Sequence, residues 1–270
     1  MEQKNLYQST KRSFFVRPTG RIILTVTSGL IALALWFSFT KYSQVPAFIL
    51  PTPGQVWDRF LISVSDGSLL FHAWVTLSEV LLGLLIGVSS AIVIGYTLAK
   101  MRVVERILAP YIVASQSIPV VAIAPLLVIW LGPGMLSKVL ISALIVFFPV
   151  LVNTIVGIRS VPDELYDLMH SLQANSWQRM RLLEIPAAMP VFLGGLRVGA
   201  TLSVIGAVVG EFVGADQGLG FLVNVGRGMY DTSLVFVAVF TLILMALALY
   251  GAVILIEKNV LSWQKTESHF

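Results

Sequence analysis

Very few residues in this chain are placed where they could do chemistry. There is no cysteine, which excludes thiolate catalysis, disulfides and cysteine-based metal sites. The three histidines, His72, His170 and His269, are scattered and lack the paired spacing of a zinc site. No G-x-x-x-x-G-K-[ST] run occurs, so the chain has no phosphate-binding loop, and any ATP-driven work must come from another polypeptide. Glu79, Arg197 and Glu211 stand in otherwise apolar surroundings, but they form no carboxylate dyad at one depth and no Ser-His arrangement accompanies them. No catalytic residue and no metal site is therefore expected.

The chemistry that remains is docking. Residues 163 to 190, DELYDLMHSLQANSWQRMRLLEIPAAMP, form a polar, charge-bearing stretch between long apolar runs. Leu165, Leu168, Met169 and Leu172 recur at three and four residues, which places them on one helical face, while Asp163, Glu164 and Asp167 load negative charge onto the first turns. A helix of this kind kept in water by a membrane protein is a surface for a partner.

The elements that must position this segment are membrane spans. The chain is 57% apolar and only 12% charged, a departure from soluble composition toward a polytopic membrane protein. Apolar runs of around or above the ~18 residues needed to cross a bilayer predict six spans, at about 22–39, 73–99, 107–131, 138–158, 190–213 and 232–256. They leave no room for a separate soluble domain. A basic tail (1–21), a wet segment over 159–189 and a short C-terminal tail (257–270) complete the layout. The first run lacks a small-residue cleavage pattern and reads as a retained helix.

Cations set the orientation. With the N-terminus inside, the inner segments carry thirteen Lys and Arg residues and the outer loops four (Lys41, Arg59, Lys138 and Arg227), which predicts both termini and the 163–190 stretch in the cytoplasm. The net charge of +4 is thus topology, and nucleic acid is not an expected partner. Membrane lipid is.

Within the spans, Gly83, Gly87, Ala91, Gly95 and Ala99 repeat every four residues, and Gly195, Gly199, Gly206, Gly210 and Gly214 repeat the device. Such strips let helix backbones approach closely where no hydrophobic effect drives association. The third span carries Pro110, Pro119, Pro125 and Pro133, with Ser115-Gln116-Ser117 just before Pro119. Freed backbone groups are tolerated in a membrane only where protein or a water-filled cavity satisfies them, so Ser115, Gln116, Ser117 and Pro119 are read as pathway lining, the competing account being a kink satisfied by neighbouring helices. A charge at a helix centre costs about 2.5 to 3.5 kcal/mol on insertion scales. Glu79 and Glu211 fall toward the outer side, where solvent lowers that cost, either bordering an external mouth or serving as interfacial carboxylates. Arg197 lines an inner gate, pairs with a carboxylate or snorkels to headgroups, and snorkelling is the favoured reading. Pro46, Pro51 and Pro53 are expected to stop helix in the first outer loop, and Trp36, Trp57, Trp74 and Trp130 to anchor span ends.

The 163–190 segment resembles the EAA loop of type I importer permeases of the ATP-binding cassette superfamily. Asp167, Leu168 and Met169 take the E-A-A positions, Gln173 the glycine, and Leu183-Glu184-Ile185-Pro186 the terminal motif. LPTPGQVW, IPVVAIAPLLVIWLGPG, NSWQRMRLLEIPAAMP and GEFVGADQGLGFLV are similar, in the same order, to permeases for sulfonates, taurine, nitrate and vitamin precursors. The resemblance implies an all-α, six-span importer fold in a bacterial inner membrane, with a cytoplasmic coupling helix. It implies a homodimer, two ABC ATPase subunits that hold ATP and Mg, no cofactor on this chain, and an extracytoplasmic solute-binding protein. The implied ATPase contacts are Glu164, Asp167, Leu168, Met169, Gln173, Ala174, Asn175, Ser176, Trp177 and Pro186. Because a residue with a Cβ enters a left-handed turn at about 1 to 2 kcal/mol, the turn is expected to shift from Gln173 toward Asn175. Within the family, DQGLGFLVNVGRGMYDTSLVF and Glu79 look most like the branch importing riboflavin or pyrimidine thiamine precursors, ahead of sulfonate, taurine, nitrate or bicarbonate. A self-sufficient secondary transporter or channel is the competing class. It would need an inward-facing proton or sodium relay, and the intramembrane charges are sparse and off centre for one.

Overall fold

The computed structural model describes residues 18–43 and 45–262, and every regular element among them is a helix. In order these are α1 (Pro18–Tyr42), α2 (Pro53–Ser65), α3 (Ser68–Lys100), α4 (Arg102–Gln116), α5 (Val120–Leu131), α6 (Met135–Arg159), α7 (Asp163–Ser171), α8 (Ser176–Arg179), α9 (Ile185–Gly214), α10 (Leu219–Gly228) and α11 (Thr232–Val260). Five uninterrupted helical stretches are long and apolar enough to cross a membrane, and α4 with α5 makes a sixth if counted as one bent span. The basic residues before Pro18 and the last eight residues lie outside the described part of the chain.

The centre of the molecule is α6, clasped between α3 and α9. Glycine strips on the outer two helices make this possible. A Cβ added at Gly87 would sit 2.7 Å from the carbonyl oxygen of Ala143, and one at Gly206 would sit 2.5 Å from Cα of Ser142. Gly83 faces the Ser142 side chain, Gly95 faces Thr154, Gly199 faces Val146 and Val150, and Gly210 faces Lys138. At such separations dispersion between backbones replaces the hydrophobic effect that lipid cannot supply. Ser142 also donates a hydrogen bond to the Ser203 carbonyl at 3.0 Å, so its hydroxyl is satisfied inside the contact.

Prolines account for the irregular places. Pro119 has no N–H and disfavours helix at Ile118, so the third apolar run breaks there and α4 and α5 meet at 90°. Pro186 clashes with the carbonyl four residues earlier, at Leu182. The helix accommodates it by widening to a π turn over Met180–Glu184, which makes α8, that turn and α9 one rod from Ser176 to Gly214.

Several expectations are corrected. Pro53 does not stop helix in the first outer loop but starts α2, because Thr52 and Gln55 form a reciprocal capping box around it. The left-handed residue after α7 is Gln173 itself (φ 54°), while Asn175 is extended and caps α8 through Gln178. A further helix, α10, packs on α9 and α11 in the stretch expected to be a loop.

Candidate functional site

At one end of the bundle α7, the turn after it and α8 present an outward surface. Glu164, Asp167, Leu168, Gln173, Asn175, Ser176 and Trp177 are exposed there, with Met169 and Ala174 half-buried, and Trp177 shows 63% of its surface. The apolar stripe of α7 is also uncovered: Leu168 and Leu172 are exposed and no α7 residue is buried. Pro186 stands apart, ten residues into the rod that Ser176 begins.

Behind this surface lies a knot of charged and aromatic side chains that the sequence did not disclose. Glu184, the last residue of the π turn, is 2% exposed. One carboxylate oxygen takes a hydrogen bond from Lys100 at the end of α3, and the other accepts from the Tyr96 hydroxyl at 2.9 Å. The Lys100 ammonium lies 5.6 Å from the Tyr96 ring and 5.3 Å from the ring of Tyr166 on α7. Burial, and then the nearby Glu184 carboxylate, push the Tyr166 phenol up. A polar cleft of about 600 Å³ separates α7 from the bundle, with Lys100, Arg102 and Arg159 on one side and Asp163, Asp167 and His170 on the other.

The opposite end holds a second network. Glu211 on α9 accepts from the Thr76 hydroxyl at 2.6 Å and from the Gly220 amide, and Thr76 in turn accepts the Leu219 N–H at 2.7 Å. The Gly218 N–H donates to His72 Nδ1 at 2.9 Å. Gly218 has φ 109°, and a side chain there would collide with the Glu211 carboxylate, so the loop D-Q-G-L-G is shaped to grip that group. Against the expectation of no carboxylate dyad at one depth, Glu79 lies beside Glu211, and it pairs with Lys138 at 3.5 Å.

This overturns the expected solvent access. Glu79 and Glu211 are 1% and 0% exposed, and Lys138, counted as an outer-loop cation, is buried in the first turn of α6. The carboxylates are tolerated because they are paired and hydrogen-bonded inside protein. Arg197 likewise does not snorkel alone. It is ion-paired with Glu257 of α11 and lies 5.7 Å from the Tyr250 ring.

The remaining pathway candidates are elsewhere. Gln116, Ser117 and Pro119 are exposed and Ser115 half-buried at the α4–α5 break, remote in sequence and in packing from the Glu79 and Glu211 network. α4 has no buried residue and α5 only Ala124, so this pair lies loosely against the clasped helices. Among the described residues no cluster of three or more His, Cys, Asp or Glu side chains could hold a metal ion.

A clasped core of apolar helices long enough to cross a membrane, a proline-broken pair lying loosely beside it and an exposed helical surface between two such helices fit a transport subunit of the membrane. The fold agrees with the solved inward-facing MetNI methionine ABC transporter, which matches with TM-score 0.61 at 17% identity over 70% of this chain and 94% of that one. The chain belongs to the binding-protein-dependent transport system inner membrane component family, whose model matches residues 83–262. It is 47% identical, over 87% of its length and 88% of the relative's, to the riboflavin transport system permease protein RibX of Chloroflexus aurantiacus. It is 34% identical to the formylaminopyrimidine transport permease protein ThiX of Halalkalibacterium halodurans, over 88% of this chain and 94% of that one. The protein is accordingly a multi-pass inner-membrane permease subunit of the ABC importer class.

Proposed function

We propose that two copies of this chain form the translocation pathway of an importer driven by two ABC ATPase subunits and fed by an extracytoplasmic solute-binding protein. α7 and α8 face the cytoplasm, with both chain termini on that side, and dock on the ATPases, which hold ATP and Mg. The observation that carries this reading is the uncovered α7–α8 surface, continuous through the π turn with a single rod that runs into the core. A nucleotide-dependent grip on Gln173 to Trp177 then tilts α9 as a lever. Differential contact at that surface shifts the equilibrium between outward-open and inward-open arrangements.

The solute is riboflavin or a pyrimidine precursor of thiamine. The support is the identity to permeases named for riboflavin and formylaminopyrimidine transport. A self-sufficient transporter is disfavoured because Glu79, Lys138 and Glu211 are gathered into one buried cluster at one end of the bundle and do not form a relay through the membrane.

Proteoliposomes holding the permease, its ATPases and its binding protein test the proposal. ATP-driven riboflavin or formylaminopyrimidine uptake is expected, unaffected by excess taurine, and lost when residues 173–177 become a Gly/Ser linker. Normal ATP-coupled uptake in the linker variant, or gradient-driven uptake by the permease alone, would refute it. Taurine accumulation in place of riboflavin would move the solute to the sulfonate branch.

A further inference from the structure

α3 is the one clasping helix with no chain connection to α7, since α4, α5 and α6 intervene between them. It can sense α7 only through space. The contact that lets it do so is Tyr166, whose ring faces the Lys100 ammonium at 5.3 Å. Lys100 is at the same time bound to Glu184, the buried carboxylate that closes the π turn at the base of α9. The same lysine therefore touches α7, ends α3 and holds α9.

The two links in this chain differ in strength. Glu184 is enclosed, and an enclosed carboxylate deprived of its cation is strongly penalised, so Lys100 and Glu184 stay together whatever α7 does. The Tyr166 ring is half-buried on a helix with no buried residue, and its hold on the ammonium is a cation–π contact that can slide. The cleft of about 600 Å³ beneath α7 gives it room to move; Asp163, Asp167, Arg102 and Arg159 line it, and Arg159 is held by Glu105 at 3.1 Å and not by α7. The backbone connection from α7 to α8 is a short turn through left-handed Gln173, a compliant joint.

We infer that Lys100 and Glu184 are a positioning pair that delivers the movement of α7, taken up by Tyr166, to α3 and α9 together. The inference rests on the reading of α7 as the ATPase-docking helix. It assigns the pair no contact with solute or nucleotide. Its role is to make the two clasping helices move as one, so that hydrolysis on the partner is not spent without opening the pathway.

The test uses the complete transporter in proteoliposomes, with ATP hydrolysed and solute accumulated measured on the same vesicles. Tyr166→Ala and Lys100→Met are expected to keep hydrolysis within about twofold of the unaltered protein while solute moved per ATP falls about tenfold. Lys100→Arg, which keeps the charge and stacks on the rings, restores the ratio. Tyr166→Ala removes a half-buried side chain, so it remains informative if Lys100→Met fails to fold. An unchanged ratio, or hydrolysis and uptake falling in parallel, would overturn the inference. A second readout separates this from failure of the transport reading. The chain has no cysteine of its own, so spin labels placed at Met101→Cys and Leu172→Cys of the purified permease before the partner subunits are added report the α3–α7 distance. Broadening of that distance by Tyr166→Ala is expected even in the absence of nucleotide, and an identical distribution would sink the proposal whether or not uptake is driven by ATP.

Discussion

Lys138 shows how much a single side chain can rest on its surroundings. It is one buried cation beside two buried carboxyl groups, Glu79 and Glu211, and one oxygen of Glu79 has no hydrogen-bond partner among the described residues. Removing one member of such a pair leaves an uncompensated charge, whereas replacing both with apolar groups of similar volume is often neutral. Lys138→Met is therefore expected to destabilise the protein by about 3 to 5 kcal/mol, and Lys138→Met with Glu79→Met to recover most of that loss. Thermal unfolding of the detergent-purified variants checks both, and additive effects of the two substitutions would contradict the pairing. Gln173 offers a smaller test of the opposite sign. Its φ of 54° disfavours a side chain by about 1 to 2 kcal/mol, against about 0.5 to 1 kcal/mol for the extra unfolded-state freedom of glycine. Gln173→Gly should thus slow amide exchange at Ala174 and Asn175, and faster exchange would show that the turn is not strained. The sequence places Lys138 in an outer loop and expects the left-handed turn to move from Gln173 to Asn175, and the structure contradicts both while keeping Gln173 at the position of the motif glycine. Hydropathy registers Lys138 as a charge at a span boundary and cannot see that Glu79 and Glu211, one of them 132 positions along the α3-to-α9 path from the other in sequence (211 against 79), converge on it. Partnership across helices is a tertiary fact.

Periodic features made the elements far more legible than the pairings. The glycine strips on α3 and α9 follow directly from the 3.6-residue helical repeat, and Gly83, Gly87, Gly95, Gly195, Gly199, Gly206 and Gly210 all abut α6, while Gly214 faces Val128 of α5 and Pro133. The strips differ from other glycines in a way that a matched pair of substitutions can measure. A Cβ at Gly206 meets the Ser142 backbone, which cannot rotate away, whereas one at Gly194 meets nothing within 4 Å. Gly206→Ala should cost about 1 to 3 kcal/mol by forcing α6 and α9 apart, and Gly194→Ala should be neutral or gain about 0.5 to 1 kcal/mol from helix propensity. Equal melting temperatures for the two variants would show that the clasp is not limited by backbone approach. Two capping boxes, Thr52 with Gln55 and Asn175 with Gln178, stand in the sequence as a helix-start pattern, and in the first of them Pro53 is the first helical residue, where its missing N–H costs nothing. The π turn was not legible, because Pro186 announces a disturbed helix without stating whether it kinks, ends or widens.

At the scale of the whole molecule the unusual feature is how little of α4 and α5 is covered. Every residue of α4 is at least partly exposed, and Gln116 and Ser117 stand uncovered at a 90° break that lies between apolar helices. Hydrocarbon cannot satisfy the backbone groups that Pro119 and the break set free, so lipid is not a stable neighbour for this part of the surface. A second copy or a water-filled route must supply the missing partners, and a two-fold assembly with the breaks facing one another supplies both at once. The prediction concerns single cysteines placed in this cysteine-free chain. Gln116→Cys should react with a membrane-impermeant maleimide and form a disulfide between two copies under mild oxidation, while Leu244→Cys, exposed on α11, a helix not packed on α4 or α5, should do neither. Labelling at Gln116 that changes when nucleotide is added to the complete transporter would mark the break as part of the route that opens and closes. A Gln116 cysteine as inert as the one at Leu244 would mean that the break is buried against lipid or against its own chain in the assembly, and the pathway would have to be sought elsewhere on the bundle.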